Sequence, residues 1–305
     1  DRVPLADWPA ELFTIADNVH RSDILLGANV RPGDALRAAI ARGERNIAVS
    51  GELTLLLKDA ADIAARSDHL FNPAIGKLVA LWGFHSEEFR PQLPDAAVVE
   101  AVVKARPRMS DLTIAENSVS STNKAVQLDL GGYAKGYALD RAAAILRGQG
   151  MNNALINIGG NVMALGDKGG TPWRVGIQHP RAAAPLATLE LRDGEAIGTS
   201  GDYQRYFEVD GKRYPHLLDP RTGYPADHTQ AVTVLIPGGA KAGTRSDAAS
   251  KPIFIAGPDA WRAMARKMEI GLLLRVDRDN RVFVSEALRP RLECVGEHPE
   301  IIVVP

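Results

Sequence analysis

The stretch Leu128-Asp129-Leu130-Gly131-Gly132-Tyr133-Ala134-Lys135-Gly136 runs from a strand-like start through two glycines to a lysine, a third glycine and a helical pattern. That order gathers bare backbone amides, a cation and a helix N-terminus in one place, which suits an anion and a phosphate in particular. The same glycines also suit an ordinary strand-to-helix turn. Further along, His216-Leu217-Leu218-Asp219-Pro220-Arg221-Thr222-Gly223-Tyr224-Pro225 sets a histidine, an aspartate, an arginine and a threonine within seven residues of turn-prone sequence. An unperturbed histidine titrates near neutral pH and can serve as a general base, although Asp-Pro-Arg-Thr-Gly also reads as a plain turn.

Three shorter segments have similar double readings. Asn157-Ile158-Gly159-Gly160-Asn161 is a strand running into paired glycines, read as a hairpin or as backbone that approaches a ligand closely. Thr199-Ser200-Gly201-Asp202-Tyr203 offers hydroxyls and a glycine to a ligand, or shapes a turn. In Ser246-Asp247-Ala248-Ala249-Ser250-Lys251, Asp247 and Ser250 can present hard oxygens to Mg²⁺ from one helical turn, or Asp247 caps a helix. From the residues alone, the chemistry expected is the binding of a phosphate-containing ligand, with Mg²⁺ as a candidate partner.

These groups need elements to position them. A helix is expected from Ser50, its N-cap, to Arg66–Ser67, with Leu53, Leu56, Leu57, Ala60, Ile63 and Ala64 at helical spacing. Further helices are expected over roughly 34–42, within 94–107, from Gly136 to Gly148 or Gly150, and over 258–268. Strand-type runs occupy 154–158, 173–177, 188–191, 206–209 and 232–236. The runs 272–276 and 282–285 read as a hairpin, and Val303 marks a final strand. Helices and strands mix without regular βαβ alternation, so the fold class is α+β.

A chain of 305 residues can bury a large core as one domain or two intimately packed lobes. Its 45% hydrophobic and 24% charged residues are ordinary for a soluble globular protein. The net charge of −1 gives no reason to expect a nucleic-acid partner. No run is long enough for a transmembrane helix. The single cysteine, Cys294, excludes an intrachain disulfide and a multi-thiolate metal site.

Taken together, the segments resemble the ApbE family of FAD:protein FMN transferases. Asp129 to Asp140 is similar to the family's D-L-G-G-x-A-K-G-Y-A-x-D block, and Gly159-Gly160 to its strand-ending glycines. Thr199 to Tyr203 is similar to T-S-G-x-Y, and His216 to Pro225 to H-x-x-D-P-x-T-G-x-P. Phe71-Asn72-Pro73-Ala74-Ile75-Gly76 with Leu81-Trp82-Gly83-Phe84 resembles F-D-P-x-x-G and L-W-G-F. The likeness runs from about residue 50 to 257. It implies a two-lobed α+β fold with FAD in a cleft between the lobes and Mg²⁺ on its diphosphate. It implies transfer of FMN to a Thr or Ser hydroxyl of an acceptor redox protein, with release of AMP, and an exported or periplasmic, membrane-associated setting. Hydrolysis of FAD and non-catalytic FAD binding are the alternatives.

The resemblance also assigns roles. His216 becomes the catalytic base and Asp219 its loop partner. Gly131, Gly132, Lys135, Gly159, Gly160, Ser200, Gly201 and Thr222 become FAD contacts. The metal ligands fall on the Ala134 carbonyl and Asp247. This chain departs from the pattern at three places. Lys251 stands where the family has a metal-binding threonine, so that either Ser250 takes over as ligand, or the ammonium stands where metal charge would be, or metal binding is weak; Asn72 stands where Asp is usual. Residues 1–49 show no clear match to the family's opening strand and its S-E-x-x-x-x-N segment.

Overall fold

The computed structural model describes residues 32–85, 91–295 and 300–305. It begins with helix α1 (Pro32–Arg42), strand β1 (Ile47–Ala48) and helix α2 (Gly51–Arg66). Ser50 caps α2 as expected: its side chain accepts a hydrogen bond from the Leu53 amide, and Leu53, Leu56, Leu57, Ala60, Ile63 and Ala64 are buried. Helices α3 (Gly76–Leu81) and α4 (Ala96–Ala105) follow, then strands β2 (Leu112–Ile114) and β3 (Ser118–Ser121), which form a small sheet with β1.

Helix α5 (Ala134–Gly148) begins two residues earlier than the Gly136 start read from the sequence. A series of strands comes next: β4 (Ala154–Ile158), β5 (Asn161–Leu165), β6 (Trp173–Gln178), β7 (Pro185–Leu191), β8 (Ala196–Gly201), β9 (Tyr206–Val209), β10 (Lys212–Pro215) and β11 (Thr229–Ile236). Helices α6 (Ala242–Ile255) and α7 (Trp261–Lys267) lead to β12 (Leu273–Asp277), β13 (Val282–Ser285), β14 (Leu292–Cys294) and β15 (Ile301–Val304).

A seven-stranded sheet in the order β15-β13-β12-β11-β8-β5-β4 organises these elements. Its pairs are antiparallel except β13 with β15. The central strand β11 is buried at all eight positions. Val232, Val234 and Ile236 join a core with α2, α5, α6 and α7. The alternating Ala231 and Leu235 join a second core against the three-stranded sheet β14-β7-β6. A strand buried on both faces carries apolar side chains on both sides, which is why 232–236 reads as an apolar run broken only by Thr233. A third cluster packs Leu78, Trp82 and Phe84 against Val99, Val102, Phe207 and Leu218.

Two helices that carry the site cross almost without side chains between them. A Cβ on Gly136 would stand 2.3 Å from the Gly243 carbonyl oxygen, and one on Gly243 would stand 2.5 Å from the Gly136 oxygen. Glycine at both positions lets α5 and α6 touch backbone to backbone. Asp140 of α5 reinforces the contact by accepting hydrogen bonds from the Gly243 and Thr244 amides and from the Thr244 hydroxyl, which satisfies donors left open at the start of α6.

Candidate functional site

Segments far apart in sequence come together on one cavity of about 800 Å³. Gly131, Gly132 and Lys135 line it from the start of α5, and Gly159 and Gly160 from the β4–β5 turn. Ser200 lines it from β8, His216 from the loop after β10, and Lys251 from α6. Gly159 and Gly160 both hold positive φ angles, 56° and 88°, so the paired glycines are hairpin residues that also form a wall. The Thr199–Gly201 segment is the end of an inner strand and not a turn. Thr199 pairs with Thr233 in β11, and their hydroxyls lie 2.9 Å apart.

Lys135 is the most telling residue. Among the described residues no carboxylate or carbonyl hydrogen-bonds its ammonium, although the side chain is largely enclosed. Burial holds its pKa below the ordinary lysine value; nearby Asp247 acts in the opposite direction, and Lys251 and Arg205 add to the lowering. A cation set into a cavity loses solvation that the nearby Asp247 charge only partly offsets, which is the environment an anionic ligand relieves.

His216 is positioned through its own backbone and ring. Its amide donates to the Arg205 carbonyl at 3.0 Å, and Nδ1 lies 3.1 Å from the same oxygen. A carbonyl only accepts, so Nδ1 carries the proton and Nε2 keeps its lone pair. Phe84 meets the ring edge-on at 6.3 Å. The ring opens onto the cavity, yet the surrounding protein and three cations disfavour its charged form. Burial first, then Arg205, Lys135 and Lys251, push its pKa down to about 3. His216 is therefore a neutral base at physiological pH.

Asp219 lies off the cavity wall. Its carboxylate pairs with Arg221 at 2.7 Å and accepts the Arg221 amide, while its backbone carbonyl accepts from Thr222 and Gly223. It shapes the loop that carries His216, and the group that orients the imidazole is the Arg205 carbonyl. Thr222 also lies off the wall: it is exposed, and its hydroxyl accepts from the Tyr224 amide. Gly201 makes room for a ring, since a Cβ there would stand 2.4 Å from Tyr203. Trp82 anchors the same loop by donating from Nε1 to the Gly223 carbonyl at 2.8 Å.

The residues expected to bind Mg²⁺ are committed otherwise. Asp247 is buried, its Oδ2 accepting the Gly136 amide at 2.9 Å. Lys251 Nζ donates to Asp247 Oδ1 at 2.6 Å and to the Asp247 carbonyl at 2.8 Å. The Ser250 hydroxyl lies 2.8 Å from that carbonyl and 2.7 Å from the Ser200 hydroxyl. Ala134 is buried at the first turn of α5. No group of three or more His, Cys, Asp or Glu side chains capable of holding a metal occurs among the described residues. Two oxygens of the expected metal set, Asp247 Oδ1 and the Asp247 carbonyl, already face an ammonium, and a divalent cation does not fit on them beside it.

The other departure also has a structural use. Asn72 lines the cavity while its Nδ2 donates to the Pro107 carbonyl at 2.8 Å and its Oδ1 accepts the Ala74 amide at 3.1 Å. An ionised aspartate could not make the first of these bonds. Residues 1–31, which include most of the segment without a clear match to the family's opening motifs, lie outside the described residues.

The profile of the ApbE family matches residues 17–274. This chain belongs to the ApbE family. The match begins earlier and ends later than the 50–257 span read from the motifs. Among curated relatives, the FAD:protein FMN transferase of Rhodobacter capsulatus is 42% identical over 276 residues. The alignment covers 90% of this chain and 52% of the relative, so the chain spans about half of that protein's length. The FAD:protein FMN transferase of Treponema pallidum is 33% identical over 96% of this chain and 84% of its own. The ApbE protein of Thermotoga maritima superposes with a TM-score of 0.78 at 33% identity, covering 92% of this chain and 91% of that one. These likenesses establish the expected α+β ApbE fold.

Two functional residues were missing from the sequence reading. Arg205 lines the cavity, orients His216 through its carbonyl and donates from its guanidinium to the Phe84 carbonyl at 2.9 Å. The signal was the Asp210-Gly211 pair between β9 and β10, with φ of 50° and 73°, a two-residue hairpin turn that brings residue 205 beside 216. Asp140 was only the last letter of a motif, and its capping of α6 is visible only in three dimensions.

Proposed function

We propose that this chain transfers the FMN half of FAD to a Thr or Ser hydroxyl of an acceptor protein and releases AMP. The carrying observation is the enclosed Lys135 ammonium, without a hydrogen-bond partner among the described residues, in the cavity that His216 also lines. The name shared by the Rhodobacter and Treponema relatives supports the reading. In the proposed step, the acceptor oxygen attacks the FMN-side phosphorus and its proton passes to His216 Nε2. The bond from that phosphorus to the bridging oxygen breaks, and the bridging oxygen leaves on AMP. General base catalysis of this kind contributes about 10² to 10⁴-fold. Lys135 neutralises charge as it builds on the departing phosphate.

An anionic diphosphate also offsets the cations that depress the His216 pKa, so the base strengthens once substrate is bound. Mg²⁺ is left out of the proposal because Lys251 holds Asp247 Oδ1 and the Asp247 carbonyl. Lys251 is also the observation that favours the second reading, a non-catalytic FAD-binding protein. We further propose that the acceptor is an exported, membrane-associated redox protein, a part that rests on the family resemblance alone.

The test is incubation with FAD and a flavin-acceptor domain, followed by in-gel flavin fluorescence and assay of AMP. Labelled acceptor with AMP supports transfer, whereas AMP alone replaces it with hydrolysis. FAD that binds and stays intact selects the non-catalytic reading.

A further inference from the structure

We propose that the Lys251 ammonium takes the place of a divalent cation on the FAD diphosphate, so that FAD binding and FMN transfer need no metal. The inference rests on FAD being the substrate. An ammonium has three N–H donors. Among the described residues, two of those of Lys251 are used, one on Asp247 Oδ1 and one on the Asp247 carbonyl. The side chain lines the cavity, so the third is left for a ligand there. Gly132 forms the opposite side of its passage: a Cβ on Gly132 would stand 2.9 Å from both Cδ and Cε of Lys251. The lysine stem is thus threaded between α6 and the glycine turn ahead of α5.

The other side-chain oxygens of the set are also occupied. Asp247 Oδ2 holds the Gly136 amide, and the Ser250 hydroxyl is shared between the Asp247 carbonyl and the Ser200 hydroxyl. A metal entering here would displace the ammonium into a cavity already flanked by Lys135 and Arg205. The buried carboxylate of Asp247 balances Lys251 and fixes where its charge sits, the part that a metal's carboxylate ligand would otherwise play.

Titration of FAD by fluorescence quenching, in excess EDTA and again in millimolar Mg²⁺, reads this directly. The wild-type protein is expected to bind FAD equally in both, and acceptor labelling is expected to be equal too. Lys251→Thr is expected to lose about 10-fold or more of its FAD affinity in EDTA, the loss of one charge-assisted hydrogen bond, and to regain it with Mg²⁺. Riboflavin, which lacks the diphosphate, should bind both proteins alike. Should Lys251→Thr not fold with Asp247 unpaired, Asp247→Asn/Lys251→Met removes both charges together and should lose FAD affinity in EDTA and Mg²⁺ alike.

Wild-type binding or labelling that fails in EDTA and returns with Mg²⁺ overturns the inference and leaves FMN transfer standing. So does a double variant that binds FAD normally. Metal-independent, Lys251-dependent FAD binding with no labelling under any condition removes FMN transfer and leaves the role of Lys251 intact.

Discussion

Substituting Gly136 by alanine tests whether the α5–α6 crossing builds the site. The added methyl carbon would stand 2.3 Å from the Gly243 carbonyl oxygen and 2.7 Å from both the Gly243 carbonyl carbon and Asp247 Cβ. None of these is the tip of a flexible side chain, so the two helices must part. Overpacking of this kind costs about 1–3 kcal/mol. Parting the helices also stretches the 2.9 Å bond from the Gly136 amide to the buried Asp247 carboxylate, and a bond to a charged group contributes about 1.5–3 kcal/mol. The expected loss is therefore about 2.5–6 kcal/mol, read as a lower urea midpoint at unchanged slope. FAD affinity should fall as well, because Lys135 sits one residue away on the displaced turn. Gly148→Ala is the control on the same helix. Nothing lies within 4 Å of its added Cβ, and alanine in a helix is favoured over glycine by up to about 1 kcal/mol, so this variant should be as stable as wild type or more so. If Gly136→Ala unfolds within about 0.5 kcal/mol of wild type, the close crossing is not what holds α6 against α5.

Other perturbations probe the parts separately. Asp140→Ala removes three hydrogen bonds at the start of α6 and should cost about 1–2 kcal/mol, measurable by thermal or urea unfolding. Trp82→Phe keeps the aromatic cluster but leaves the Gly223 carbonyl without its donor, at about 1–3 kcal/mol. Because Gly223 belongs to the His216 loop, transfer should slow while FAD binding holds. The His216 pKa is about 3 in the folded chain and ordinary when unfolded, so between roughly pH 6.5 and 3 the unfolded state binds the extra proton and stability falls as pH falls. His216→Gln should flatten that slope in urea titrations across pH 4–7, and an unchanged slope would refute the depressed pKa.

The sequence revealed elements whose signals are local. Ser50 with its helical apolar spacing located α2 to the residue, and the 277–280 turn located the β12–β13 hairpin. The helix α6 had no such signature. It is buried on nearly every side, so its apolar residues show no stripe, and Gly243, Thr244, Ser246, Ser250 and Pro252 are weak helix formers. Strand β8 read as a turn because Gly198, Thr199, Ser200 and Gly201 are small. Their size is a packing requirement: a Cβ on Gly198 would stand 2.6 Å from the Ser246 carbonyl oxygen. The site shows the same division. Glycines, Lys135 and His216 stood out by type and spacing. The pairing of Lys251 with Asp247 and the use of the Arg205 carbonyl needed the fold. Lys251 could be seen as a departure from the family pattern, but its effect on the metal set follows only from where its ammonium sits.

The central claim is that His216 activates an acceptor hydroxyl against FAD bound beside Lys135. Its most direct measurement is mass spectrometry of an acceptor domain after incubation with FAD and either wild-type protein or His216→Ala, with AMP and FAD affinity followed in parallel. Wild type should add one FMN per acceptor by a phosphoester and release AMP in equal amount. His216→Ala should bind FAD as tightly and label about 10² to 10⁴-fold more slowly. Labelling by His216→Ala at the wild-type rate, or FAD left intact by the wild-type protein, would contradict the account.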